Sequence, residues 1–207
     1  MMMNQVRMYA ASILGILTKY LEDIQLSELI QELLSLASSP SWPFRHGSVL
    51  AISSMIHHNP SPVCLSSSFS SILTTLRTLL KDEKFPLRES STKALGWLLL
   101  YQTQRDHFDP VLNKDVLSLL VFSSTHDDSS EVRRRSLSAI KAVAKSSPPA
   151  IMSNVTITGP ALAECLKDGN MPVRIAAERC ALTCLPLTKG TLTAIFGLCV
   201  SCGEELQ

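Results

Sequence analysis

Four arginines recur along this chain at nearly even spacing, and each could hold an acidic side chain or a backbone carbonyl of a nearby turn. They are separated by 43, 45 and 41 residues, and each follows an apolar residue: Arg45, Arg88, Arg133 and Arg174. A small residue stands three and six positions after each arginine: Ser48, Ala51, Ser91, Ala94, Ser136, Ala139, Ala177 and Cys180. Such offsets lie close to one helix face, so small residues there let adjacent helices approach closely. The pattern predicts arginines that brace a stack of helices.

An aspartate stands five or six residues before three of the four arginines, and these acids are candidate partners for them. A further match to the arginine pattern, Arg7, stands 38 residues before Arg45. Recurring braces are what the interfaces of a repeat protein need. We therefore expect a structural role for one set of anchors: Arg7, Arg88, Arg133, Arg174, Asp82, Asp128 and Asp168.

Arg45 differs from the other arginines because residues 39–41 read Ser-Pro-Ser and supply no aspartate. Trp42 and His46 lie beside it, and Trp and Arg are typical anchors of protein interfaces. An arginine without its acidic partner is available to another protein. Trp42, Arg45 and His46 are therefore candidate partner-binding residues. The alternative is that Trp42 covers a repeat interface and Arg45 pairs elsewhere in the stack.

The densest group of basic residues is the run 133–135, followed by two lysines. Arg134, Lys141 and Lys145 lie near one face of the helix predicted there, and Arg133 opens the run. This group could meet an acidic protein surface or RNA phosphates, whereas the alternative is an ordinary solvated helix face. Aromatic residues make up only 5% of the chain and do not interleave with the basic ones, which argues against base stacking.

No set of residues points to catalysis, to a metal ion or to a cofactor. Cys199 and Cys202 form a C-x-x-C pair, but zinc needs further ligands, and the nearest histidine, His126, lies far upstream. Glycine-rich phosphate loops, nucleophile elbows and metalloprotease motifs do not occur. We therefore expect a non-enzymatic protein without a metal, a cofactor or a small-molecule substrate.

The elements that must position these residues are helices arranged in pairs. Apolar residues recur at helical spacing between Pro- and Ser-containing breaks, and no strand alternation competes. A period of roughly 40–47 residues built from helix pairs is typical of HEAT repeats. We predict an all-α fold, an armadillo-like HEAT-repeat α-solenoid of about four repeats in residues 1–190. The predicted units are a half repeat at 4–22, repeats at about 27–58, 66–103, 109–147 and 157–187, and a divergent tail at 191–207.

Helix starts are predicted from residues that the first turn favours. Ser27 is expected to cap the first helix of the first full repeat. The first turn of a helix tolerates proline, because a backbone N–H at that position has no partner within the helix. Four prolines are therefore expected at helix starts: Pro43, Pro86, Pro160 and Pro172. The run 146–149, Ser-Ser-Pro-Pro, is expected to end a helix pair.

Composition argues against several classes of partner. The formal net charge is +1, from 19 basic and 18 acidic residues, so there is no overall basic excess to drive non-specific binding to nucleic acid or lipid. The longest apolar stretches fall short of the ~20 residues that span a bilayer. Six cysteines suit a reducing compartment, where they act as small hydrophobes. We predict a cytosolic protein with no membrane partner.

Three strings resemble the far C-terminal region of the general-control nonderepressible translational activators. They are residues 41–48 (SWPFRHGS), 131–136 (EVRRRS) and 159–168 (GPALAECLKD). The resemblance covers about residues 1–190, whereas the tail departs from it.

This resemblance implies a long HEAT scaffold that rides on ribosomes and conveys the signal of uncharged tRNA to a kinase of translation initiation factor two alpha. The implied partners are the RWD domain of that kinase, the ribosome and upstream HEAT repeats of a longer chain. Two alternatives remain open from the residues. One is another HEAT adaptor, such as a transport receptor or phosphatase scaffold, and the other is a truncated paralogue without independent activity.

Overall fold

The computed structural model describes residues 2–58, 62–103 and 110–184, and these residues are almost entirely helical. The described helices are α1 (Met2–Leu17), α2 (Asp23–Ala37), α3 (Trp42–His58), α4 (Pro62–Leu79), α5 (Phe85–Thr103), α6 (Pro110–His126), α7 (Ser130–Ser146), α8 (Pro148–Met152), α9 (Val155–Cys165) and α10 (Met171–Cys184). A short 3₁₀ helix, Thr18–Tyr20, follows α1. The predicted tail, 191–207, lies outside the described residues, as do Cys199 and Cys202.

The helices form two compact units, residues 1–101 and 102–207. In the first unit α2 pairs with α3, α1 packs against α3, and α2 packs against α4. In the second unit α6 pairs with α7 and α9 with α10, while α6 packs against α9 and α7 against α10. First helices therefore stack on first helices, and second helices on second helices, within each unit. The prediction of an all-α solenoid built from helix pairs is confirmed.

Small residues hold the second helices close together, as the repeat pattern predicts. All eight residues at the two offsets after the recurrent arginines are buried, none more than 8% exposed. Gly15 marks a closer approach still, between α1 and α3. A Cβ added there would lie 2.7 Å from the carbonyl carbon of Ser54 and would also collide with the Ser54 hydroxyl.

The core of each helix follows the apolar period of the sequence. On α2 the buried residues are Leu26, Ile30, Leu33 and Ala37, spaced by four, three and four positions. On α7 the buried set includes Val132, Ser136, Ala139 and Val143, with the same spacing. These stripes face the neighbouring helices, so burial of their side chains stabilises the stack rather than the isolated helix.

Two expected helix starts were wrong, because each helix begins several residues earlier in the sequence. Helix α2 begins at Asp23, since the Gln25 side chain accepts the backbone N–H of Glu22, and Ser27 lies within the helix. Pro160 lies inside α9, which begins after Asn154, a residue type favoured at N-caps. The 146–149 run does end α7, at Ser146, and its two prolines also open the short helix α8. Pro43, Pro86 and Pro172 do lie in first turns.

Candidate partner-binding surfaces

Each recurrent arginine fastens the loop that precedes its own helix. One terminal nitrogen, Nη1, donates to the backbone carbonyls six and five residues earlier. The Nη1–O distances are 2.9 and 2.9 Å for Arg45, 2.8 and 3.2 Å for Arg88, 2.7 and 3.2 Å for Arg133, and 2.6 and 3.2 Å for Arg174. The same geometry at four places shows that the arginines occupy equivalent positions.

For Arg45 and Arg133 the carboxylate partner comes from the following repeat, not from the preceding loop. Arg45 places Nε 3.0 Å and Nη2 2.8 Å from Oδ2 of Asp82. Arg133 binds both oxygens of Asp168, with Nε 2.7 Å from Oδ2 and Nη2 3.0 Å from Oδ1. This hydrogen bond raises the pKa of Arg133 and lowers that of Asp168. The expectation that Arg45 lacks an acidic partner is therefore wrong.

The aspartates also brace their own loops. Oδ1 of Asp82, Asp127 and Asp168 accepts the backbone N–H two residues later, at 2.9, 2.9 and 2.8 Å. Each of these aspartates stands six residues before its arginine. The expected anchor Asp128 is thus wrong by one position: it is exposed and contributes its carbonyl to Arg133, whereas Asp127 holds the equivalent place.

Arg7, Trp42 and His46 come together at the start of α1 and α3. The guanidinium carbon of Arg7 lies 5.1 Å from the centre of the Trp42 ring, a cation–π contact. The Arg7 Nε is buried and has no hydrogen-bond partner among the described residues. Trp42 is half-buried, so part of its ring remains accessible.

His46 does not form part of an exposed surface, which contradicts its place among the partner-binding candidates. Its side chain is buried, at 3% exposure, and its ring centre lies 6.1 Å from that of Trp42. Burial, followed by the positive charge of Arg7, lowers the pKa of His46. A side chain buried to this degree cannot contact a partner directly.

The basic residues of α7 fall into two groups. Arg133 is held by Asp168, so its charge is compensated. Arg134 and Lys141 are half-buried and Lys145 is exposed, and none of these three forms a salt bridge within the part of the chain that the structure describes. We call Arg134, Lys141 and Lys145 the basic face of α7. Within the predicted partner-binding set, these three side chains have positive charges that no salt bridge among the described residues compensates.

A groove on the first unit was not anticipated from the sequence. It lies between α1, α3 and α5, has a volume of about 540 Å³, and includes Tyr9, Ser53, Lys93 and Trp97 in its lining. The imidazole of His57 stacks on Trp97 with ring centres 3.9 Å apart. Partial burial, His58, Lys93 and Lys19 all lower the pKa of His57. The two rings are 40 residues apart in sequence and belong to no motif, so only the packing of α3 on α5 reveals them.

Buried thiols are the remaining reactive groups among the described residues. Cys165, Cys180 and Cys184 are free and buried, and burial raises the pKa of Cys165 to about 11. No cluster of three or more potential metal ligands occurs in residues 2–58, 62–103 and 110–184. None of the helices in those ranges combines the length and the apolar character needed to cross a membrane.

Comparisons with known proteins identify relatives of this chain. A family described as GCN1-like, C-terminal HEAT repeats, matches residues 45–195. Protein ILITYHIA of Arabidopsis thaliana is 60% identical over 187 residues, which cover 90% of this chain and 7% of the relative. The stalled ribosome sensor GCN1 of Mus musculus is 25% identical over 191 residues, again 90% of this chain and 7% of the relative. The chain thus spans about 7% of the length of the curated relatives that it matches.

Two solved structures share the fold. An engineered protein has a TM-score of 0.57 at 15% identity, over 84% of this chain and 79% of its own. A designed armadillo repeat protein in complex with a (KR)4 peptide has a TM-score of 0.57 at 16% identity, over 95% of this chain and 91% of its own. At such low identity these matches show the architecture alone. The resemblance drawn from the three sequence strings is confirmed by the family match and by the plant relative.

Proposed function

We propose, since the chain belongs to the family of GCN1-like C-terminal HEAT repeats, that it docks and activates the kinase of translation initiation factor two alpha. In this proposal the chain is a non-catalytic scaffold segment in amino-acid starvation signalling, located in the cytoplasm. Its partner is the RWD domain of the kinase. The family match and the two relatives support a HEAT-repeat scaffold related to the GCN1 proteins.

The observation that carries the docking proposal is the basic face of α7. Arg134, Lys141 and Lys145 are spaced by seven and four residues, so they point to one side of a single helix. Their charges are not neutralised by salt bridges within the described residues, whereas Arg133 beside them is. A cationic helix face of this kind suits an acidic protein surface, because complementary charge steers association and fixes register.

Arg45 and His46 drop out of the docking surface for physical reasons. The Arg45 guanidinium is occupied by Asp82 and by two loop carbonyls, and the His46 ring is buried. Trp42 remains a candidate contact because its ring is only half-buried. The partner-binding set is therefore reduced to Trp42 and the basic face of α7.

Isothermal titration of the chain with the purified RWD domain tests this function. We expect saturable binding that weakens as NaCl is raised, because screening reduces attraction between surface charges. The double variant Arg134→Glu/Lys141→Glu should weaken binding at least tenfold. The matched control is Lys114→Glu/Arg179→Glu, an equal charge change at exposed sites on α6 and α10. Absence of binding by wild-type protein, or equal losses in the double variant and the control, would contradict the proposal.

The ribosome is a second candidate partner, favoured by the same basic face and by the name of the mouse relative, a stalled ribosome sensor. Lysine and arginine bind phosphate with release of counterions, so binding to ribosomal RNA would depend steeply on salt. Co-sedimentation of the chain with ribosomes, using the same variants, measures this activity. Unchanged sedimentation of the double variant would exclude the basic face as the ribosomal contact.

A further inference from the structure

Arg45 and Arg133 find their acidic partners at equivalent positions. Arg45 binds Asp82 and Arg133 binds Asp168, so the carboxylate lies in the loop before the next second helix. In each case the aspartate stands six residues before the next arginine of the series. Applied to Arg7, whose next arginine is Arg45, this spacing points to residue 39. That residue is a serine.

Ser39 performs only one of the two tasks of the aspartate. Its Oγ accepts the backbone N–H of Ser41 at 3.2 Å, as Oδ1 of Asp82 accepts that of Lys84. A hydroxyl has no second oxygen and no charge to offer the arginine. Accordingly the buried Nε of Arg7 has no hydrogen-bond partner among the described residues. The arginine without an aspartate partner is therefore Arg7. The sequence pattern had pointed to Arg45, one repeat later, because it placed the aspartate in the loop before each arginine.

The Arg7 side chain is nevertheless held in place. Its guanidinium lies over the Trp42 ring, at 5.1 Å, and its Cδ lies near Gly47, where an added Cβ would meet it at 3.9 Å. His46, which feels the positive charge of Arg7, has no negative charge to offer it. An ordered cation loses little side-chain entropy when it binds, so a carboxylate can pair with Arg7 at reduced cost.

We propose that Arg7 is a docking site for an aspartate or glutamate side chain of a partner protein. Because Nε of Arg7 is buried, the partner carboxylate binds the terminal nitrogens, Nη1 and Nη2, and supplies the negative charge that Asp82 supplies to Arg45. A carboxylate is the ligand because the Arg45 and Arg133 sites hold one, in the second case with both oxygens against Nε and Nη2. Planar guanidinium and planar carboxylate match in such pairs. The site is in the first unit and does not depend on the basic face of α7.

A peptide copied from this chain serves as the probe. Residues 79–87 carry the loop that presents Asp82 to Arg45, and the control peptide carries Asn in place of that aspartate. The readout is the side-chain Nε–Hε resonance of Arg7 in ¹H–¹⁵N spectra of the full chain. We expect a saturable shift with the aspartate peptide and at least tenfold weaker binding of the asparagine peptide. No shift in a folded wild-type protein would overturn the proposal.

Variants at residue 39 separate docking from general folding effects. Ser39→Asp supplies the carboxylate within the chain, so it should raise the melting temperature and abolish the peptide-induced shift. Ser39→Asn has nearly the same shape without the charge and should bind the peptide like wild type. Equal peptide binding by Ser39→Asp and wild type would overturn the site. A larger shift with inorganic phosphate than with acetate at equal ionic strength would also do so, since it would indicate a phosphate ligand.

Discussion

Arg45 and Arg133 use the two sides of the guanidinium for different loops. Nη1 fastens the loop before its own helix, and for Arg45 and Arg133 Nε and Nη2 hold the aspartate of the following loop. The Arg45 and Asp82 side chains are 16% and 9% exposed, so the pair is largely removed from solvent. Such pairs are costly to break because the remaining partner is left charged and unpaired.

Removing Arg45 should therefore destabilise the protein. We expect Arg45→Ala to lower the free energy of unfolding by about 2–4 kcal/mol, because Asp82 and two carbonyls lose charged hydrogen bonds. Urea unfolding followed by circular dichroism measures the change. Arg179→Ala, at an exposed site on α10, is the matched control and should change stability by less than about 0.5 kcal/mol. Similar small effects in both variants would contradict a stabilising role for the contacts of Arg45 with Asp82 and the loop carbonyls.

Acid should destabilise the first unit through His46. Burial lowers the pKa of His46 in the folded state, so between the folded and unfolded pKa values the unfolded chain binds more protons. The free energy of unfolding therefore falls as pH drops below about 6.5, the ordinary pKa of histidine. Denaturant melts of His46→Gln and wild type at several pH values should show a shallower acid dependence for the variant. The control His126→Gln, at an exposed ring, should retain the wild-type slope.

At the scale of the helices, the repeating sequence pattern predicted where the helices and their buried faces lie, but not which arginine pairs with which aspartate. The apolar period and the small residues after each arginine identified the pairs and their buried faces. Asp128 could not be separated from Asp127, because both lie within one residue of the right spacing and only the loop hydrogen bond to Ser129 distinguishes them. The partner of Arg45 was missed because the nearest acid in sequence need not be the nearest in space: Asp82 lies 37 residues away.

The close contact at Gly15 sets the distance between α1 and α3, which are the second helices of neighbouring repeats. Gly15→Ala places a Cβ against the Ser54 backbone, which cannot move without shifting α3. We expect a loss of about 1–3 kcal/mol, the usual cost of overpacking, measured as the shift of the urea midpoint. Gly169→Ala adds the same methyl group where no atom lies within 4 Å and should leave the midpoint nearly unchanged. Equal shifts would contradict the close approach of α1 to α3 at Gly15.

At the scale of the whole molecule, stability in a solenoid is a sum of local terms. Each helix pair contacts its neighbours in the stack, and the packing within each unit is of this kind. Damage to one interface should therefore stay local unless unfolding is fully cooperative. The net charge of +1 supplies no strong overall field, so recognition depends on local surfaces.

Hydrogen exchange can measure how local the damage is. In Gly15→Ala we expect faster amide exchange in α1–α3, because this substitution strains their packing, and wild-type exchange in α7, α9 and α10. Mass spectrometry of deuterated peptides resolves these helices. A uniform increase in exchange along the chain would mean that residues 1–101 and 102–207 unfold as one cooperative body.

The pairing rule between repeats has a consequence for length variation. Each aspartate is positioned by its own loop, and each arginine by its own helix. An arginine–aspartate link between repeats therefore does not depend on which two repeats are neighbours. Excision of residues 82–126 would bring Asp127 to the position that Asp82 has after Arg45, 37 residues along. Recombination that removes or duplicates whole units would thus preserve such links, whereas a deletion that removes an aspartate without bringing its equivalent into place would lose one.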